Sequence, residues 1–368
     1  MIKKVRHVLG ISGGKDSAAL AIYLHQQYPN LDIEYYTCDT GKELEETYEL
    51  IEKLEGYLGK KITLLEAAKT EEQDPFDFQF HSFGGYLPSS NARWCTKYLK
   101  LQPFEQFVGN DLVISYVGIR GDEDREGYIS KKQNIQSIFP FRKNIWSEDV
   151  IIKVLKNENI AAIKEIYEFN YSEINIKRTI EIVQQPISFK FSIHQKLNLL
   201  LDLGTKEFNQ VVFEFLKTTN YPLAKEPDFP LCDNEDVLVR EDIFNLLRNS
   251  GVGVPAYYEK IEFEVNGKKG EYARSRSGCY FCFFQQKIEW VWLYEQHPDK
   301  FKLAMDYENE KEGFTWNQNE SLKELILPER SNTIKTEFLN RNKSKAKSSY
   351  LIDVLDDTEM EGCAACFI

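Results

Sequence analysis

The chain has 368 residues, of which 42% are hydrophobic and 13% aromatic, so it holds enough apolar side chains for one large core or two smaller ones. This composition excludes a chain that is disordered throughout, and the formal net charge of −12 argues against non-specific wrapping of nucleic acid. No stretch approaches the roughly 20 apolar residues that span a bilayer, and the apolar run before Gly13 is too short for a secretory signal. We therefore expect a cytoplasmic protein without a membrane partner.

Strand-like and helix-like segments alternate along the first part of the chain. The strand candidates are residues 5–11, 33–38, 62–67 and 112–119, and the helix candidates are residues 18–28 and 44–57. Apolar strands separated by amphipathic helices of about 10 to 15 residues are typical of βαβ units on a parallel sheet. The pattern predicts an α/β fold with a Rossmann-like parallel sheet and helices on both of its faces.

The pattern changes after residue 150, where apolar residues recur at helical spacing. Near the C-terminus a basic run at 341–347 precedes an acidic run at 356–361, which is typical of a solvated linker. The predicted regions are an α/β domain at 1–150, a helical insertion at 151–232, a segment at 233–310 that completes the core and carries a Cys-x-x-Cys pair, and an extension at 311–368 with a cysteine-containing tail.

A turn of small residues, Ser-Gly-Gly-Lys-Asp-Ser, joins the first strand to the first helix candidate. Such a turn presents unpaired backbone N–H groups and the positive end of a helix dipole to an anion. Gly13 and Gly14 let the anion approach the backbone closely. Ser12 and Ser17 add hydroxyl donors, and Lys15 adds a point charge. The turn is therefore predicted to hold a pyrophosphate group.

The spacing of the glycines narrows the class of phosphate site. It does not match a Walker A loop or the Gly-x-Gly-x-x-Gly dinucleotide fingerprint, which disfavours a motor that hydrolyses the γ-phosphate. Asp16 lies within the turn, and carboxylate oxygens are ligands that Mg²⁺ prefers. We expect Asp16 to help hold Mg²⁺ against the phosphates.

The turn resembles the loop of the PP-loop superfamily, whose members use Ser-Gly-Gly-x-Asp-Ser to bind the pyrophosphate of ATP or an equivalent anion, on the HUP type of Rossmann-like fold. Three further stretches resemble the branch related to phosphoadenosine phosphosulfate (PAPS) reductase. They are residues 38–50 with Asp-Thr-Gly and Glu-Thr-Tyr, 93–103 with Cys-x-x-x-x-Lys-x-x-Pro, and 118–128 with Gly-x-Arg, an acidic residue and Arg. The resemblance leaves the helical middle of the chain unaccounted for.

The resemblance implies an adenine-nucleotide site at the carboxyl ends of the strands. Asp39 ends the second strand, at the edge where open α/β sheets bind ligands. Gly118, Arg120 and Arg125 follow a later strand, and the two guanidinium groups could clamp phosphate or sulfate oxygens. The alternative is that both arginines pair with the acidic residues at 122–124. The expected catalytic residues are Lys15, Asp16, Arg120 and Arg125.

Seven cysteines in an odd, uneven arrangement indicate a metal site or reactive thiols rather than a disulfide framework. Cys279 and Cys282 form half of a metal site, and Cys95 and Cys232 could complete a tetrahedral site with four thiolate ligands. Some members of the resembled group hold a [4Fe–4S] cluster with comparable cysteines. Trp94 stands where adenylylsulfate reductases have a second adjacent cysteine, so Cys232 is predicted to supply the missing ligand. Zn²⁺ and the absence of any metal remain alternatives.

The other cysteines and the histidines carry weaker signals. Cys38 is interpreted as an apolar strand residue. Cys363 and Cys366 lie near the end of the chain, where PAPS reductases carry a catalytic cysteine in a different motif, so they form either a redox or sulfur-relay pair or a frayed tail. The scattered histidines are interpreted as structural or surface residues: His7, His25, His81, His194 and His297.

Three functions remain open. The first is an enzyme that cleaves ATP to AMP and pyrophosphate in sulfur transfer, as in DNA phosphorothioation and phage defence. The second is a reductase that produces sulfite from PAPS or adenylylsulfate. The third is a non-catalytic nucleotide-binding module of a protein assembly. For the first, the resemblance implies a sulfur-donor partner such as a cysteine desulfurase or a thioredoxin-like protein, and the acidic chain would meet DNA through partner proteins.

Overall fold

A parallel sheet of five strands lies at the centre of the computed structural model, which describes residues 4–123, 130, 132–171, 176–317 and 320–345. The strands are β1 (Arg6–Gly10), β2 (Ile33–Asp39), β3 (Ile62–Glu66), β4 (Val113–Tyr116) and β5 (Ile135–Ile138). Their order is β3-β2-β1-β4-β5, so the chain reverses direction across the sheet at β1. Ligands of open α/β sheets bind at this switch point. The predicted Rossmann-like α/β fold is confirmed.

Helices cover both faces of the sheet. Successive side chains along each strand point to opposite faces, so both faces present apolar residues to the helices. Those of the first half are α1 (Lys15–Gln27), α2 (Glu45–Leu58), α3 (Pro75–Ser82), α4 (Trp94–Thr96) and α5 (Gln102–Val108), with a π-helical turn (Lys97–Leu101) joining the last two. Leu9 and Ile114 pack toward α1 and α2 in one cluster of buried residues. Val8 and Val113 point to the opposite face, where they pack with Phe104 of α5.

The helical middle of the chain shares the core of the sheet instead of forming a separate one. Its helices are α6 (Glu148–Leu155), α7 (Ile160–Asn170), α8 (Ile176–Gln184), α9 (Ile193–Leu203) and α10 (Thr205–Leu216), followed by α11 (Arg240–Asn249). Ile114, Val150 and Phe208 belong to one continuous apolar cluster. The buried Trp146 indole N–H donates to Asn209 Oδ1 at 2.8 Å, which links this region to the end of the sheet.

The C-terminal part of the described chain builds a second core. Its elements are the antiparallel strands β6 (Ile261–Val265) and β7 (Lys268–Tyr272) and the helices α12 (Lys287–Gln296), α13 (Pro298–Asp306), α14 (Leu322–Leu325) and α15 (Pro328–Lys345). Their buried residues cluster with Leu44, Phe76, Trp94 and Leu99 of the first half. The region after residue 311, predicted as a C-terminal extension, thus contributes α14 and α15 to this core. Among the described helices, none combines the length and the apolar character that a membrane crossing needs.

Gly118 follows β4 where the chain passes closest to the start of α1. A Cβ atom at this position would lie 2.8 Å from the backbone carbonyl oxygen of Asp16. Any larger residue must therefore move the backbone of the phosphate loop or of the strand end.

We expect Gly118→Ala to lower the free energy of unfolding by about 1–3 kcal/mol, because the added methyl group overpacks this contact. The matched control is Gly56→Ala on α2, where no atom lies within 4 Å of an added Cβ and alanine stabilises the helix by about 0.5–1 kcal/mol. Chemical denaturation of both variants measures the difference. A Gly118→Ala protein as stable as the parent would contradict the close approach.

Candidate functional site

The predicted phosphate loop lies between the end of β1 and the first turn of α1, at the switch point of the sheet. The Ser12 N–H donates to Ser17 Oγ at 3.2 Å, and Ser17 Oγ donates to the Gly14 carbonyl at 3.3 Å. Gly13 has a φ of +71°, and a Cβ atom there would overlap the Thr47 side chain. These contacts fix a tight turn whose glycine a larger residue cannot replace without strain.

Residues from the C-terminal half of the chain cover the loop. The Tyr257 hydroxyl donates to the Gly13 carbonyl at 2.9 Å, and the Lys15 N–H donates to the Tyr258 hydroxyl at 3.4 Å. The Ser277 hydroxyl lies so close to Gly14 that an added Cβ would overlap it. Sequence reasoning missed these residues, because nothing local in the sequence shows which distant segment will cover the loop.

A buried network of charges holds the loop to the strand on the other side of the switch point. Lys15 Nζ lies 3.2 Å from Asp16 Oδ2, and Arg120 Nη1 lies 2.9 Å from Asp16 Oδ1. Arg120 also pairs with Asp122 at 2.9 Å and with Glu123 at 3.0 Å. The alternative that Arg120 pairs with its acidic neighbours is therefore observed, together with a pairing to Asp16 that the sequence did not indicate. Three carboxylates around one guanidinium favour a positioning role for Arg120.

Asp39 and Glu43 line a pocket beside the loop. Asp39 Oδ1 accepts hydrogen bonds from the Gly41 N–H at 2.8 Å and from the Tyr48 hydroxyl at 2.9 Å. Burial and the neighbouring Asp39 carboxylate raise the pKa of Glu43 to about 7. The lining residues are Ser12, Thr37, Cys38, Asp39, Glu43, Thr47, Tyr48, Ile51, Glu52, Glu55, Ile62, Leu64 and Lys100.

Three of the predicted metal ligands, Cys95, Cys279 and Cys282, line one cleft. Thr40 Oγ1 lies 3.2 Å from Cys279 Sγ and donates to Glu43 Oε1 at 2.7 Å. Burial raises the pKa of the Cys279 thiol, as does the nearby Glu43 carboxylate. The remaining lining residues are Thr40, Phe76, Pro88, Thr96, Lys100, Ser277, Gly278, Phe281, Phe283, Phe284 and Trp316.

Lys100 lines both cavities and stands between them. Its ammonium group lowers the pKa of the Glu43 carboxyl and of the Cys38 and Cys279 thiols, against the larger opposite effect of their burial. Lys100 is the lysine of the Cys-x-x-x-x-Lys segment, so the motif that indicated it was visible in the sequence. Its place between the pocket beside the loop and the thiols was not visible there.

Cys232 lies apart from the other three cysteines. It is buried in the core shared by the sheet and the helical middle, and its N–H donates to the Phe229 carbonyl at 3.0 Å. Within the part of the chain that the structure describes, no group of three or more His, Cys, Asp or Glu side chains is arranged to hold a metal ion. The structure thus corrects the predicted set of four thiolates, because it does not bring Cys232 to the cleft. Arg125, Cys363 and Cys366 lie outside the described residues.

The chain is similar to known proteins over its first half. Residues 6–174 match the model of the phosphoadenosine phosphosulfate reductase domain. This part of the chain is a PAPS reductase family domain. The match places it in the PAPS reductase-like branch of the PP-loop superfamily, as the loop motif predicted. The family supports a nucleotide-binding function related to sulfur chemistry.

Other comparisons add little about the reaction of this PAPS reductase family domain. An uncharacterized protein of Methanocaldococcus jannaschii is 30% identical over 181 residues, which are 45% of this chain and 34% of that protein. The chain thus spans about a third of the length of this relative. No solved structure matches. The matched domain contains the loop, Asp39, Lys100 and Cys95, whereas Cys279 and Cys282 follow it in the chain.

We expect Arg120→Met to lower the free energy of unfolding by about 3–5 kcal/mol, because it removes a buried cation that pairs with the Asp16 and Glu123 carboxylates. Arg248→Met is the control, since Arg248 and Glu241 form an exposed pair whose loss changes stability by at most about 1 kcal/mol. Thermal and chemical denaturation compare the two variants. Equal losses of stability in the two variants would contradict the conclusion that the buried network stabilises the fold more than an exposed ion pair does.

The placement of the thiols predicts that Cys232→Ser leaves the iron and zinc content of the anaerobically purified protein unchanged. Cys279→Ser is the matched variant in the cleft, and it should lower the content of any metal that the purified protein binds through these thiols. Elemental analysis of both variants checks the prediction. A loss of metal in the Cys232→Ser protein would restore the four-cysteine set that the sequence predicted.

Proposed function

We propose that the chain is an enzyme that binds an adenine nucleotide and cleaves ATP to AMP and pyrophosphate in order to activate an acceptor for sulfur transfer. The observation that carries this proposal is the contact between the phosphate loop and the thiol cleft. Ser277 lies against Gly14 of the loop and also lines the cleft that contains Cys279 and Cys282. Nucleotide activation and sulfur chemistry would thus take place at adjoining sites.

The loop would bind the β- and γ-phosphates through its backbone N–H groups and Lys15. In this reaction the protein contributes mainly positioning and charge neutralisation. Lys15 Nζ rests 3.2 Å from Asp16 Oδ2, so the nucleotide would draw this ammonium group from the carboxylate to a phosphate oxygen. The freed Asp16 oxygen is then the proposed contact for Mg²⁺, while Arg120 keeps the other oxygen in place.

The pocket beside the loop would take the nucleoside. A carboxylate at the end of the second strand commonly binds ribose hydroxyls in folds of this kind. Asp39 holds this position and is oriented by the Tyr48 hydroxyl and the Gly41 N–H. Its placement supports the predicted nucleotide-binding role of Asp39.

The thiols of the cleft would take part in the sulfur transfer. A thiolate is the reactive form of cysteine, and Lys100 supplies positive charge that favours it at Cys279 against the larger opposing effects of burial and the Glu43 carboxylate on the pKa. The described residues offer three thiols at the cleft, one fewer than a [4Fe–4S] cluster takes from protein, so we assign no step to a cluster or to Zn²⁺. A cysteine desulfurase or a thioredoxin-like protein is the proposed sulfur donor, and DNA phosphorothioation is one reaction of this type.

A second candidate function is the reduction of PAPS or adenylylsulfate to sulfite. The match of residues 6–174 to the PAPS reductase domain favours it. In this case the loop would bind phosphate or sulfate. Cys363 or Cys366 would attack the sulfur and displace the nucleotide phosphate, and a dithiol would then reduce the resulting S-sulfocysteine and release sulfite.

The test incubates anaerobically purified protein with Mg²⁺ and either ATP or PAPS plus a dithiol, followed by chromatography of the products. We expect AMP and pyrophosphate from ATP, and we expect Lys15→Ala to lower their rate of formation about a hundredfold or more, because it removes a charge that stabilises the transition state. Lys60→Ala, at an exposed ion pair with Asp32, is the control.

Each other product pattern identifies a different function. Sulfite from PAPS with no AMP from ATP would establish the reductase. Nucleotide binding without any product would establish the non-catalytic module.

A further inference from the structure

Two acid-free segments of this acidic chain meet at the mouth of the thiol cleft. Residues 78–104 contain three basic residues and no Asp or Glu, and residues 272–288 likewise contain three basic residues and no acidic one. Both segments supply residues that line the cleft. Arg274 is buried and Lys287 pairs with Glu320, so the cations that these segments place near the cleft are Arg93, Lys97, Lys100 and Arg276, on a protein whose formal charge is −12.

The first segment carries its cations along one short helical stretch. Arg93 directly precedes α4, and Lys97 and Lys100 lie in the π-helical turn that follows it. Arg93 and Lys97 are exposed, and none of the described carboxylates lies within ion-pair distance of either. Lys100 extends the same row into the cleft beside Cys95. The row leads from solvent toward the thiols.

The second segment adds an aromatic ring that lies close to two guanidinium groups. The Arg93 guanidinium lies 5.0 Å from the centre of the Phe284 ring, and that of Arg276 lies 5.6 Å from it. Phe284 is half-buried and lines the cleft. On the helix side, the Phe83 ring is 39% exposed and lies 5.6 Å from that of Tyr98. Cations interleaved with accessible rings are the combination that binds single-stranded nucleic acid through phosphates and stacked bases.

We propose that this face, defined by Arg93, Lys97, Arg276, Phe83 and Phe284, binds single-stranded nucleic acid and guides it to the thiol cleft. The inference rests on the proposed function, for which the strand would be the sulfur acceptor. Arg93 and Lys97 contact phosphates, and a base stacks on Phe284. The chain then needs no partner protein to bring the nucleic acid, because the local charge of the face is opposite to that of the whole molecule.

The experiment measures fluorescence anisotropy of a labelled single strand of about 20 nucleotides, longer than the roughly 4 to 16 that one comparable site covers. DNA and RNA strands of one sequence are compared over a salt series, with an abasic strand of equal length. Arg93→Ala/Lys97→Ala should weaken binding of the base-containing strand at least about tenfold and lower the salt slope by about 1.4, at about 0.7 for each lost phosphate contact. The control Lys164→Ala/Lys190→Ala makes the same change of charge in the helical middle, at the half-buried Lys164 and the exposed Lys190, and should leave both quantities unchanged.

Phe284→Leu tests the stacking part separately, with Phe169→Leu as the matched control, since the Phe169 ring is 88% exposed in the helical middle. We expect Phe284→Leu to weaken binding of the base-containing strand about fivefold or more and to leave that of the abasic strand unchanged. A preference for DNA or RNA identifies the sugar of the acceptor. Three outcomes each overturn the proposal: neither strand binds, the two double variants behave alike, or the abasic strand binds as tightly as the others.

AMP formation from ATP is measured on the same preparations. Arg93 and Lys97 lie outside the nucleotide site, so Arg93→Ala/Lys97→Ala should retain basal ATP cleavage while it loses strand binding. Strand binding without any AMP from the parent protein would contradict the proposed function and support the strand-binding face. AMP formation without strand binding would contradict the strand-binding face and support the proposed function.

Discussion

The ion pair between Asp16 and Arg120 is the interaction on which the arrangement of the site depends. It joins the first turn of α1 to the segment after β4, across the point where the order of the strands reverses. Both side chains are buried, so the pair persists only because further carboxylates and Lys15 balance its charges. Gly118 brings the same two segments together through the backbone. These two contacts fix the phosphate loop relative to the end of β4.

A second constraint comes from the other end of the chain. Tyr257, Tyr258 and Ser277 contact the loop from the core that the C-terminal helices build. The same segment continues directly into Cys279 and Cys282. Their cleft is also lined by Thr40 and Lys100, which belong to the first half of the chain. Loop and thiols are therefore held by one continuous piece of polypeptide, and a displacement of that piece would alter both sites together.

The sequence predicts those features that depend on local pattern. Apolar alternation located four of the five strands, and the glycine turn located the phosphate loop, because both are determined by neighbouring residues. The strand β5 was not predicted because Gln136 and Ser137 are polar. Both are nevertheless buried, and Gln136 accepts a hydrogen bond from the distant Leu223 N–H. Helix α15 was not predicted because its buried residues, such as Ile334 and Leu339, are few among polar ones.

The cysteine set shows the limit of spacing arguments. Cys279 and Cys282 define half of a site by themselves, but the sequence contains no distance between them and Cys95 or Cys232. Burial decides the outcome, since Cys232 packs among the helices while Cys95 faces the cleft. Lys100 and Thr40 were equally invisible as neighbours of the thiols, although each belongs to a segment that the resemblance had marked.

The cluster that joins Leu44, Phe76, Trp94 and Leu99 to the C-terminal helices bears on how this protein can be divided. A fragment cut at residue 174 would retain all five strands and the loop, but it would leave these four apolar side chains facing water. It would also lose α10 and α11, which cover the sheet and α1. The stretch of sequence that matches the family is thus shorter than the unit whose apolar surfaces cover one another. Fusions and circular permutants of this chain would need to keep residues of both halves in one polypeptide.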